Sequence, residues 1–64
     1  MPDLFAAQPP SVQDMLGCAR RELAMRRKVY PGLIVRGRMK PEEAELEIRM
    51  MTAIVEHFAN IAHV

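Results

Sequence analysis

The side chains in this sequence that are capable of chemistry are few. They are Ser11, a single cysteine at Cys18, histidines at His57 and His63, and one tyrosine, Tyr30, approached by a run of arginines. As metal ligands they are badly spaced. His57 and His63 are six residues apart, so they do not share a helix face as i, i+4 ligands do, and neither HExxH nor CxxC occurs. No metal and no cofactor are expected. Cys18 has no nearby histidine or acid to activate it, Ser11 is better placed as a helix cap, and the glutamates read as a solvated face, so no catalytic constellation and no enzyme are expected. Cys18 is expected to be a small buried or interface hydrophobe.

The remaining group has a chemistry of recognition. Arg20, Arg21, Arg26, Arg27 and Lys28 lead to Tyr30, and tyrosine and arginine are the types enriched where binding energy concentrates. Tyr30, Arg26, Arg27 and Arg20 are therefore the candidate partner-binding residues. The competing reading is a solvated charged face with the Tyr30 ring packed against a bend at Pro31.

These residues must be positioned by helices, and residues 30–43 punctuate them. Gly37 lacks a Cβ and suits the left-handed position that closes a helix. Met39 follows where an apolar side chain folds back on the last turn. Pro41 fits the first position of a new helix, and Glu42 and Glu43 suit the positive end of its dipole. Lys40 stands where a capping Ser, Thr, Asp or Asn is preferred. A link of about three residues makes the helices antiparallel neighbours. Pro31 removes a backbone bond inside the first helix. Either that helix continues through Pro31 with a kink, or it ends near Tyr30 and restarts. The kink is favoured, because Leu33, Ile34 and Val35 read as buried and Gly37 as the true stop.

Ser11-Val12-Gln13-Asp14 has the form of a capping box that starts the first helix, with Asp where Glu or Gln is preferred. Apolar positions at Val12, Leu16, Ala19 and Leu23 step by three and four, and the pattern then meets Arg26 and Tyr30. Gly17 weakens this helix or permits close approach to another. In the second helix Ala44, Ile48, Met51, Val55, Phe58 and Ala62 form one seam. Ile54 and Ile61 widen it, and Leu46, Met50 and Ala53 lie on another side. The helix is expected to fray from Asn60. Leu16, Leu23, Ile48, Met51, Val55 and Phe58 are the expected core and dimer positions, and Pro31, Gly37 and Pro41 the hinge and turn positions. Residues 1–10, with three prolines and no periodicity, read as a flexible arm, and residues 11–64 as the hairpin.

Sixty-four residues allow one domain, and a two-helix hairpin supplies little core of its own. One cysteine excludes an internal disulfide. A hydrophobic fraction of 50% with six methionines suits a second buried face, and a second copy of the chain is its cheapest cover. The expected fold is all-α, an antiparallel two-helix hairpin that homodimerises into a four-helix arrangement. Charge is segregated: residues 1–40 hold eight Lys/Arg against Asp3, Asp14 and Glu22, whereas residues 41–64 hold Arg49 against five glutamates. Mutual attraction of the helices is the plain explanation, and a basic helix offered to an acidic partner or to phosphates the sharper one. Nucleic acid is the less favoured partner, because the second helix opens with four glutamates. The N-terminus does not have the form of a signal peptide and no segment has the length of a membrane span. With a lone cysteine, this suits a reducing cytoplasm.

One stretch is specific enough to suggest a family. Arg21-Glu22-Leu23-Ala24-Met25-Arg26-Arg27-Lys28-Val29-Tyr30-Pro31, then Gly37-Arg38-Met39, then Ala44, Glu47-Ile48, Met51 and Ala53-Ile54-Val55-Glu56 resemble a small phage and prophage family, over roughly residues 18–58. Within it the chain is similar to the phage anti-activator, or anti-quorum-sensing, proteins. The resemblance implies a helical dimer that binds and inhibits a host protein in the bacterial cytoplasm. The implied target is a LuxR-type quorum-sensing activator or the type IV pilus motor ATPase, with Tyr30, Arg26 and Arg27 at the contact. The chain departs from that pattern at Gly32-Leu33, where relatives carry basic and aromatic residues, and at Lys40, where they carry Ser or Thr.

Overall fold

A computed structural model of the chain describes residues 9–62; the first eight residues of the expected arm and His63 lie outside them. The described residues form two helices and no strand: α1, Val12–Val35, of 24 residues, and α2, Pro41–Ala62, of 22 residues. Residues 36–40 turn the chain back, and the helices pack on one another as a hairpin.

The start of α1 follows from its first four residues. Ser11 sits in extended backbone, its Oγ accepts from the Asp14 N–H at 3.0 Å, and Asp14 Oδ2 accepts from the Ser11 N–H at 3.4 Å. Two of the unpaired donors at the helix start are satisfied reciprocally, so aspartate serves in the box despite its shorter arm. The helix then runs through Pro31 without a break, which removes the alternative of an end near Tyr30. Proline has no N–H for the Arg27 carbonyl, but Pro31 is exposed, and water can serve that carbonyl.

The stop is a Schellman motif. Gly37, at φ 71°, donates to the Ile34 carbonyl at 3.0 Å, and Arg38 donates to the Leu33 carbonyl at 2.9 Å. A side chain at Gly37 would hold a left-handed conformation at a cost of about 1–2 kcal/mol. At the start of α2 the Ala44 N–H donates to the Lys40 carbonyl at 3.0 Å, while the lysine side chain has no acceptor to offer the other free amides. The helix carries on to Ala62, beyond the expected fraying point.

Leu16, Ala19 and Leu23 of α1 and Ala44 of α2 are buried. They lie on the two seams expected from the sequence. Val12, Tyr30, Ile48, Met51, Val55, Phe58 and Ala62 are half-buried, so the seams are right but shallow. Three expectations need correction. Val35 is 87% exposed, not buried, because it falls on the side of α1 away from α2; Leu33 and Ile34 are half-buried. A Cβ on Gly17 would meet only Arg21 Nη1, at 3.4 Å, so this glycine admits no close approach of α2. Cys18 is exposed, not buried. The ion pairs found among the described residues, Glu22–Arg26 and Glu45–Arg49, lie within single helices.

Candidate partner-binding surface

Tyr30 and Arg26 are one helical turn apart, which places their side chains on the same strip of α1. Arg26 Nε donates to the Tyr30 hydroxyl at 3.2 Å, and Arg26 Nη1 donates to Glu22 Oε2 at 3.0 Å. Glu22, Arg26 and Tyr30 thus form a ladder at i, i+4 and i+8. The polar intrusion into the seam is neutralised in place: the Arg26 side chain is 27% exposed and its cation is paired with a carboxylate. The order Glu then Arg toward the C-terminus is the favourable one for the helix dipole.

The ladder fixes the tyrosine's chemistry. Its oxygen is used as an acceptor, so its own proton is free to donate outward to water or to a partner. The ring is half-buried at the seam, which orders it before any partner arrives and lowers the entropy lost on binding.

Arg27 and Arg20 are exposed, seven residues apart on one strip of α1, and neither takes part in the two ion pairs of the described residues. The four candidate residues therefore divide. Arg26 is committed to Glu22 and Tyr30 and holds the ring, while Arg27 is an exposed cation one turn before Tyr30 and Arg20 lies two turns further back. Glu22 was not singled out from the sequence, although its i, i+4 spacing to Arg26 carried the signal. Met25 and Val29, 51% and 45% exposed, were also passed over. They repeat at i, i+4, but on a strip that the seam pattern did not use.

At the turn, an open recess of about 570 Å³ is lined by Ile34, Met39 and Pro41 with Arg38, Lys40 and Glu43. It is a shallow mixed surface beside the hinge. Among the described residues no three His, Cys, Asp or Glu side chains gather into a ligand set, and no helix is long and apolar enough to cross a membrane.

The class defined by this geometry is an all-α hairpin carrying an arginine-held tyrosine on its first helix. Comparison with family models, with curated proteins and with solved structures finds no match to the chain.

Proposed function

We propose that the chain is a non-enzymatic interaction protein of phage or prophage origin that binds and inhibits a protein of the bacterial host, in the host cytoplasm. The observation that supports it most is the Glu22–Arg26–Tyr30 ladder, with Arg20 and Arg27 exposed on the same helix. A phenol ring held by a paired arginine, with the exposed Arg27 one turn before it, has the composition of a binding hot spot. The resemblance carried by Met25 to Pro31 supplies the target class: a LuxR-type quorum-sensing activator first, the type IV pilus motor ATPase second. Pro31 bends α1 just after Tyr30, so the ring is presented where the helix changes direction. The chain acts as a homodimer, four helices in all, because a hairpin with four buried hydrophobic residues among those described has too little core to stand alone.

The test is capture. The full chain, immobilised, is offered a host lysate and then each purified candidate. Stoichiometric retention of one of them, lost in the Tyr30→Ala variant, supports the reading. Equal retention by wild type and variant overturns the assigned surface.

A second reading has its own observation. Arg20, Arg21, Arg27 and Lys28 are exposed on α1, and a basic helix of this kind contacts phosphates. Binding to arbitrary DNA that falls steeply with salt would favour a small nucleic-acid-binding regulator. The glutamates of α2 oppose it.

A further inference from the structure

The end of the hairpin away from the turn carries apolar side chains that the seam does not use. Each residue advances about 100° round a helix. Met15 and Cys18 lie about 70–130° round α1 from the Leu16–Ala19–Leu23 seam, and Ile54 and Ile61 lie about 80–100° round α2 from the Ala44–Met51–Val55 seam. Both offsets run against the direction in which the chain winds. In two right-handed helices that face each other antiparallel, such offsets fall on the same face. Met15 and Ile61 also stand equally far along their helices from the turn, so they come level. Leu16 and Ala19 are buried, which shows the helices still packed together at this end, yet Ile54 and Ile61 beside them are 42% and 44% exposed. Met15 is half-buried and Cys18 exposed, and the exposed His57 stands at the outer edge of the patch. The charges on this face lie further in. Glu22, level with Ile54, is paired with Arg26, and Glu43 and Glu47 belong to the half of α2 nearer the turn.

We infer that Leu4 and Phe5 of the same chain cover this patch and close the end of the hairpin. The inference stands apart from the host-binding and homodimer readings above. Three observations commit the patch to the chain's own segment. The first is direction. In the capping box at Ser11, the residue before the cap is Pro10 and the fourth residue of the helix is Met15. Those two positions are neighbours in such a box, and their contact fixes the angle at which the chain enters. Met15 belongs to the patch, so the chain before Pro10 leaves on the apolar side. The second is reach. Phe5 stands six residues before Ser11, a span of up to about 20 Å. Along the helix axis Met15 and Ile61 lie about 6 Å from Ser11, Cys18 about 10 Å and Ile54 about 16 Å, whereas Met25 and Val29 lie beyond reach at about 21–27 Å. The third is chemistry joined to tethering. Leu4, Phe5, Ala6 and Ala7 are a run of apolar residues suited to an apolar patch. Held by so short a link, they meet it at an effective concentration in the millimolar range, which a second copy or a foreign helix at micromolar concentration does not match.

The experiment uses the full chain. NOEs are expected between the ring protons of Phe5 and the methyl groups of Met15, Ile54 and Ile61. In an equal mixture of isotope-labelled and unlabelled chains, the same NOEs are expected to be absent between labelled and unlabelled copies. Phe5→Ala is expected to raise the unfolding equilibrium constant in urea about tenfold, the scale of burying one aromatic side chain. A Phe5 ring without NOEs to those methyl groups overturns the inference. So does their appearance between copies, which would give the patch to a segment of another chain. An unchanged urea midpoint in Phe5→Ala overturns it as well. The NOEs are read on the wild type, so they decide even where Phe5→Ala does not fold. Failure of the host-capture test leaves each of these outcomes untouched.

Discussion

At the scale of single residues, Tyr30 is both packed and held, and the two roles separate by substitution. Tyr30→Phe keeps the ring but takes the acceptor from Arg26 Nε, which stays paired with Glu22. The expected loss is about 1 kcal/mol of stability or less, the net value of one hydrogen bond. Tyr30→Ala is expected to weaken binding to the captured host protein by about 2 kcal/mol or more, with helicity and mass nearly unchanged. Titration calorimetry against that protein, with circular dichroism alongside, checks both. A melting temperature that collapses while residual affinity is normal would assign the ring to the core. The identity of this residue was legible in the sequence, since tyrosine after a run of arginines is a local signal. Its hydrogen bond was legible only in part. The i, i+4 spacing permits the Arg26 contact, but competition between Glu22, Tyr30 and solvent for one guanidinium is settled by rotamers that the sequence does not state.

At the scale of elements, both helix boundaries at the turn were readable because glycine and proline act through the backbone alone. Gly37 takes φ 71° for want of a Cβ, whatever surrounds it. Gly37→Ala is expected to lower stability by about 1–2 kcal/mol, seen as an earlier midpoint in urea with an unchanged slope. Depth of burial was less readable. Val35 looks like its neighbours Leu33 and Ile34 in the sequence, yet a single 100° step carries it off the seam. Pro31 tests the link between an element and its function. Pro31→Ala restores a donor for the Arg27 carbonyl, and is expected to stabilise α1 by up to about 3 kcal/mol. If the bend presents Tyr30, the same change also lowers partner affinity. A stabler variant that binds as well as wild type would leave Pro31 without a role in presentation.

At the scale of the whole molecule, the sequence showed an excess of apolar positions over one seam, and Met25, Val29, Met50 and Ile54 stand exposed outside it. Their exposure depends on how the two helices are rotated against each other, a property of the pair and not of either helix alone. Met51 lies half-buried in the intrachain seam. Met51→Asp is expected to unfold the chain by placing a charge where no cation is at hand, with loss of far-ultraviolet dichroism as the readout. A variant that stays helical with the mass of one chain would instead move Met51 to the interface between copies. Wild-type melting should also shift upward with protein concentration, as dissociating systems do.

The chain has one tyrosine and no tryptophan. Its near-ultraviolet absorbance and intrinsic emission therefore come almost entirely from the ring that Arg26 holds. The protein carries its own optical reporter at the proposed contact. Displacement of the guanidinium from the phenol, by an arriving partner or by loss of Glu22, would register as a change in tyrosine emission, with no label attached.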